Sequence, residues 1–175
     1  EFYYGGAEKL YRFDPQAPED ITLAGDINDV WPCTLAFSPS GAMYSYGSWP
    51  NNMDLIDLES LFTVHIHTVV EPSICATAFT SDGRLFGKRG NQGLVQINPS
   101  TGALTNKCAS VSWADGNSGM TAQPGTDLLY VASGEILSTI DPDTCEKIDI
   151  GSFGFVPAST GLEFDPLTGK LYAVF

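Results

Sequence analysis

Trp31, Trp49 and Trp113 each stand in a short stretch crowded with oxygen-bearing side chains: "DINDVWPC" (26–33), "GSWPNN" (47–52) and "SWADGNSG" (112–119). Indole beside carboxylate and amide is the chemistry of sugar recognition. The apolar face of a sugar ring stacks on the indole while its hydroxyls pair with the surrounding oxygens and nitrogens. Asp26, Asp29, Asp115 and Asn117 supply those polar groups. A protein partner is the other ligand class that such a surface suits. The competing role for each tryptophan is structural, as a plug between packed elements.

Other chemistry is sparse. His65 and His67 in "TVHIHT" (63–68) are two residues apart, so a strand places both on one face. An H-x-H pair can hold a metal, but no third ligand is evident, and solvated edge residues are the expectation. "ADGNSG" (114–119) is similar in composition to a calcium loop yet lacks the alternating oxygens and closing Glu. No cofactor is therefore expected, with Ca2+ at that loop the one cation left open. No serine is framed as G-x-S-x-G, so a nucleophile elbow is absent.

The chain has 175 residues and a formal net charge of −13, with 8 basic residues against 21 acidic ones. Such a surface repels phosphate backbones and anionic bilayers, which argues against nucleic acid and anionic membrane as partners. No apolar run approaches the roughly 20 residues needed to span a bilayer. The first residue is Glu1, which reads as a processed or partial chain. Cys33, Cys75, Cys108 and Cys145 are even in number and show no C-x-x-C spacing. That disfavours zinc and favours disulfides in a secreted, extracellular protein.

The elements that must position these residues repeat. "EFYYGG" (1–6), "GAMYSYG" (41–47), "GRLFGKRG" (83–90), "DLLYVASG" (127–134) and "GKLYAVF" (169–175) share an aromatic anchor at Tyr3, Tyr44, Phe86, Tyr130 and Tyr172, spaced by 41, 42, 44 and 42 residues. A second series, "LYRFDP", "MDLIDL", "LVQINP" and "LSTIDP", is anchored on Asp14, Asp57, Asn98 and Asp141. A third begins at residues 34, 77, 120 and 162, and a weaker fourth at 21, 62, 103 and 146. Four short alternating strands every ~42 residues are the signature of β-propeller blades.

The turns "INPSTG" (97–102), "IDPDT" (140–144) and "FDPLTG" (164–169) resemble those of secreted β-propeller repeat proteins with LYxIDPxTG-type units, families of unknown function. The resemblance implies the fold and no activity. The expected architecture is all-β: a β-propeller of four-stranded blades, in one domain over 1–175. The repeats are expected near 1–41, 42–83, 84–127 and 128–169, with an extra strand at 170–175.

With strands named A to D from the axis outward, the chain reads B-C-D-A four times and then adds one more B. Three explanations are open for the surplus strand. The chain is part of a larger propeller, or a closed four-bladed ring carries a spare strand, or one terminal strand pairs with a neighbouring subunit. In the third case Phe2, Tyr3, Leu171 and Tyr172 form the assembly strands of a homo-oligomer or filament.

This topology puts A–B and C–D turns on one face and B–C and D–A loops on the other, where all three tryptophans fall. A Cys33–Cys75 bridge between neighbouring inner strands is reasonable. Cys108 and Cys145 fall on opposite faces, which makes their pairing awkward and leaves Cys75–Cys108 open. The expected function is non-enzymatic recognition or assembly outside the cell. The alternative, a lactonase-like metal-dependent hydrolase, needs carboxylates and amides in the axial channel, where the inner strands offer Glu163 and Gln123.

Overall fold

The computed structural model describes residues 2–6, 8–27, 31–49, 52–68, 74–114, 117–158 and 160–175; the side chains of Trp31, Ser48, Trp49 and Cys75 lie outside that description. Every described element is a strand. β1 (Phe2–Gly6), β2 (Lys9–Asp14) and β3 (Ala17–Asp26) form a three-stranded antiparallel sheet. β4 (Trp31–Phe37), β5 (Met43–Trp49), β6 (Asn52–Ile56) and β7 (Thr63–Thr68) make the second sheet. The third holds β8 (Ile74–Phe79), β9 (Leu85–Arg89), β10 (Leu94–Ile97) and β11 (Leu104–Asn106). The fourth holds β12 (Ser118–Ala122), β13 (Leu129–Ser133), β14 (Ile136–Ile140) and β15 (Lys147–Ser152), and β16 (Gly161–Phe164) pairs with β17 (Leu171–Val174).

This is an all-β propeller of four-stranded blades, and its 17 described strands are four repeats plus one. Tyr3, Tyr44, Phe86, Tyr130 and Tyr172 fall in β1, β5, β9, β13 and β17, at the same register in each unit. Three blades are complete. β17, not β1, takes the place beside β16, while β1 lies inmost in its own sheet, where Gly5 meets Pro32 and the Tyr3 ring is 5.8 Å from Phe37. The first and last sheets touch: the Gln16 amide donates to the Tyr172 hydroxyl at 3.0 Å, and the Phe2 and Tyr172 rings are 5.4 Å apart. Phe2, Tyr3, Leu171 and Tyr172 are all half-buried within the chain.

Turn chemistry explains the repeated Asp and Asn. Asp57 Oδ1 accepts from the Ser60 amide at 2.7 Å, Asn98 Oδ1 from the Ser100 amide at 2.9 Å, and Asp141 Oδ1 from the Asp143 amide at 2.8 Å. Each side chain substitutes for a backbone acceptor and closes the turn between the third and fourth strands of its blade. Four positions after these anchors the chain needs positive φ: Gly102 has φ 69°, Leu61 58° and Cys145 63°.

Apolar side chains pack between blades. Phe86, Leu94, Leu129, Val131 and Ile140 fill the third–fourth junction, and Leu10, Ile27, Met43 and Ile56 join the first sheet to the second blade. Each such side chain contributes roughly 1.5–3 kcal/mol on burial. The inner strands β4, β8, β12 and β16 surround an axial cavity of about 60 Å³.

Cys108 and Cys145 are bonded to each other, with Cα atoms 5.4 Å apart. This corrects the expectation that their opposite faces keep them apart, and it removes the Cys75–Cys108 alternative. Adjacent strands rotate by roughly 20–25°, so three steps turn an outer strand by about 60–75° from the inner one. Outer strands therefore run along the rim, and "face" ceases to sort their ends. β11 is also short: after Asn106 the amides of Lys107 and Cys108 both donate to Leu94 O, which draws Cys108 into the junction with the fourth blade. Cys33 is disulfide-bonded as well.

Candidate functional site

The third blade carries a cleft of about 610 Å³ lined by Arg89, Asn91, Gln92, Gly93, Asn106 and Ala109. It forms where the loop between β9 and β10 meets the end of β11. Arg89 Nη1 donates to Asn106 Oδ1 at 3.0 Å, which orients the guanidinium across the cleft. Asn91, Gln92 and Asn106 are exposed. One cation and three amides thus converge on a concave surface, a donor and acceptor set suited to a polar, hydroxyl-rich ligand.

Trp113 holds this loop in place. Its backbone amide donates to Asn91 O at 2.9 Å and its indole Nε1 to Gly93 O at 2.8 Å. The Gly93 amide returns a bond to Val111 O at 2.7 Å, and Gln92 bridges to Ser112. The segment that crosses to the fourth blade therefore zips onto the loop of the third. Trp113 is only 6% exposed and packs among Phe86, Met120 and Val131. Its expected role as a stacking platform is corrected: the indole is a brace under the cleft. A tryptophan needs one partner for its N–H when buried, and Gly93 O provides it.

The other expected site residues are spread around the molecule. Trp31 and Trp49 are register partners at the end of β4 and β5, so their backbones lie side by side on the corresponding rim of the second blade. Asp26 closes β3, where its carboxylate accepts from Lys9 Nζ at 2.6 Å. Asn117 ties two loops of the fourth blade, its side-chain amide donating to Ala158 O and its backbone carbonyl accepting from the Gly134 amide. Asp29 and Asp115 lie outside the described residues. Arg89, Asn91, Gln92 and Asn106 escaped the sequence reading; the signal was "KRGNQG" (88–93), a polar run where a strand pair turns.

Two further groups are chemically distinct. Glu163 lines the axial cavity with Thr77 and Thr121, surrounded by the inner strands yet reached by water. Poor solvation pushes its carboxyl above the usual range, against hydrogen bonds from Thr121 Oγ1 and the Phe164 amide, both 3.1 Å. Gln123 turns away into its own loop, where Thr126 Oγ1 donates to its Oε1 at 3.2 Å. On the second blade, buried Asp54 sits 3.1 Å from His65 Nδ1, while the His67 ring lies over Gly102 of the next blade. Burial raises the Asp54 carboxyl, and His65 opposes the shift. Among the described residues no three His, Cys, Asp or Glu side chains gather as a metal set. Among the described residues no helix is long and apolar enough to cross a membrane.

No family model matches the chain, and no curated protein does. Solved structures do. A chain of the nidogen–laminin complex aligns with TM-score 0.74 and 14% identity, covering 98% of this chain and 68% of that one. A protein of unknown function from Bacteroides thetaiotaomicron aligns with TM-score 0.69 and 16% identity over 97% of this chain and 50% of its own. Virginiamycin B lyase from Staphylococcus aureus gives 0.58 and 14%, covering 93% of this chain and 59% of that one. The chain therefore spans about half to two thirds of these structures. At such identities the likeness establishes the propeller fold alone.

Proposed function

We propose that this propeller is an extracellular, non-enzymatic recognition module that takes a carbohydrate in the cleft of its third blade. The observation that carries the reading is the braced array of Arg89, Asn91, Gln92 and Asn106. Amides present donor and acceptor together, as sugar hydroxyls do, and a loop pinned by Trp113 loses little freedom on binding. The disulfide between Cys108 and Cys145 supports an oxidising compartment. The paired ends of β4 and β5 lie on the corresponding rim of the second blade.

A glycan array followed by calorimetry tests this. Wild type is expected to bind a saccharide that Asn91→Ala and Gln92→Ala variants bind at least tenfold more weakly. Absence of any saccharide binding, or equal binding by the variants, overturns the reading; Asn91- and Gln92-dependent capture of a protein instead makes the partner a protein.

A second reading concerns self-association. β17 has β16 on one side and no described strand hydrogen-bonded on the other. Beside it Phe155, Val174 and Phe175 are exposed, with the Phe153 and Phe155 rings each 5.1 Å from Phe175. On this reading a second copy pairs along that edge, and the head-to-tail contact closes into a ring or grows into a filament. Light scattering and negative-stain microscopy decide it: a plain monomer at high concentration overturns it.

A further inference from the structure

The second blade carries a hydrogen-bonded chain of side chains that the cleft does not use. Asp54 on β6 is buried, and its Oδ1 lies 3.1 Å from His65 Nδ1 on β7. His65 Nε2 in turn lies 3.2 Å from the Thr68 hydroxyl. His65 is half-exposed and Thr68 exposed, so the chain runs from the interior to solvent. A break in the strand ladder assembles it. Three residues apart on an ideal strand, His65 and Thr68 would point to opposite faces. Here Met53 pairs with His67 and Asp54 with His65, so Ile66 is an extra residue on β7 and the register slips. That bulge brings Thr68, paired with Asn52, onto the face of Asp54 and His65. It also turns His67 the other way, over Gly102, against the expectation that both histidines share one face.

We infer that Asp54, His65 and Thr68 make an acyl-accepting site, at which the Thr68 hydroxyl takes an acyl group from an activated ester or thioester. A carboxylate only accepts, so Asp54 keeps the proton of a neutral imidazole on Nδ1 and leaves Nε2 as a base aimed at the hydroxyl. Thr68 Oγ1 attacks the acyl carbon while its proton passes to His65 Nε2. The new C–O bond forms, the bond to the leaving group breaks, and His65 returns the proton to the departing alkoxide or thiolate. The products are acyl-Thr68 and a free alcohol or thiol. Asn52, the register partner of Thr68, stands on the same face and carries an amide donor for the carbonyl oxygen. Water reaches the exposed hydroxyl and screens the developing charge, which favours donors with good leaving groups, esters and thioesters, over amides. The transfer marks the chain itself once and is independent of the cleft on the third blade.

The test exposes the intact protein to p-nitrophenyl acetate and, separately, to an S-acetyl thioester, and follows each acetylated residue by peptide mass mapping. Thr22 is the internal reference, an exposed hydroxyl that donates to the Arg12 carbonyl. Acetylation of Thr68 is expected to run about 100-fold faster than that of Thr22, the usual contribution of a positioned general base. Thr68→Ser is expected to keep the reaction, His65→Gln to slow it to the Thr22 rate, and His67→Ala to leave it unchanged. Imidazole in solution should restore part of the rate to His65→Ala. Asp54 is a positioning residue, and nitrogen NMR of the His65 ring reads its role: the proton is expected on Nδ1 in wild type and on Nε2 in Asp54→Asn, with slower transfer. Equal acetylation of Thr68 and Thr22 in wild type overturns the inference, as does a Thr68 rate that His65→Gln leaves unchanged. The wild-type comparison decides even where a variant folds poorly, and saccharide binding by the cleft stands or falls separately.

Discussion

Cys145 occupies, at φ 63°, the turn position that Gly102 fills at φ 69° one blade earlier, and from there it is bonded to Cys108. A non-glycine residue in this region costs roughly 1–2 kcal/mol. The bond closes a separation of 37 residues and joins the third blade to the fourth. Constraint of the unfolded chain by such a loop is worth about 2–4 kcal/mol. Replacing both cysteines by alanine is expected to lower unfolding free energy by about that amount in guanidinium titrations. A Cys108→Ala, Cys145→Gly chain should recover about 1 kcal/mol of the loss.

The second bridge is expected between Cys33 and Cys75. Cys33 is disulfide-bonded, and one residue further along β4 the Thr34 hydroxyl lies 3.2 Å from that of Thr77 on β8. Non-reducing peptide mapping should return the Cys33 and Cys75 peptides as one linked species. Separate masses for the two would refute the pairing.

Gly102 is a contact as well as a turn. A Cβ there would sit 2.7 Å from the His67 ring, at a φ that disfavours side chains. Gly102→Ala is therefore expected to destabilise the protein by more than the roughly 1–2 kcal/mol of the backbone penalty alone. Adding His67→Ala removes the ring but keeps the His67 Cβ, itself 2.7 Å away, so it should return only part of the excess, a coupling that a double-mutant cycle measures.

Stability should fall with rising pH through some carboxyls, Glu163 and Asp54 among them, and rise through others. Glu163 has a raised folded-state pKa, caused first by poor solvation, so the native chain keeps this proton to higher pH than the unfolded one. Its contribution is full below the ordinary glutamate range near pH 4 and is lost as pH climbs through the raised value. Asp57, Asp141 and Asp165 behave oppositely. Hydrogen bonds from their turns, led by the Ser60 amide, the Asp143 amide and the Thr168 hydroxyl respectively, hold them below the usual range. Their stabilisation is present above the ordinary aspartate value and lost as pH falls through the lowered ones. Glu163→Gln should thus gain on wild type as pH rises from the ordinary glutamate range at about 4, in matched thermal melts. A pH-independent difference would contradict the assignment.

Two tryptophans should respond differently. Trp113→Phe removes the Nε1 bond to Gly93 O and loosens the cleft loop, so both stability and ligand affinity are expected to fall. Trp49→Ala is expected to weaken ligand binding with the fold intact. Unchanged binding in Trp49→Ala, with an unchanged melt, would remove Trp49 from the recognition surface.

The strand order, the register of the aromatic anchors and the turns built on Asp57, Asn98 and Asp141 were legible in the sequence. Alternation and turn chemistry act over a few residues, and a repeat of about 42 residues averages out local noise. What the loops do was not legible, because it depends on residues a blade apart. Trp113 reads as a surface aromatic until β9, β10 and β12 enclose it and Gly93 O accepts a hydrogen bond from its Nε1–H. Cys108 and Cys145 read as remote until accumulated twist swings the outer strands along the rim and β11 stops after three residues. The cleft itself is made by the meeting of residues 89–93 with Asn106 and Ala109, held by the 111–113 segment. A period in sequence specifies the blade; twist and interblade packing, which are sums over many non-local contacts, decide which side chains it buries and which it presents.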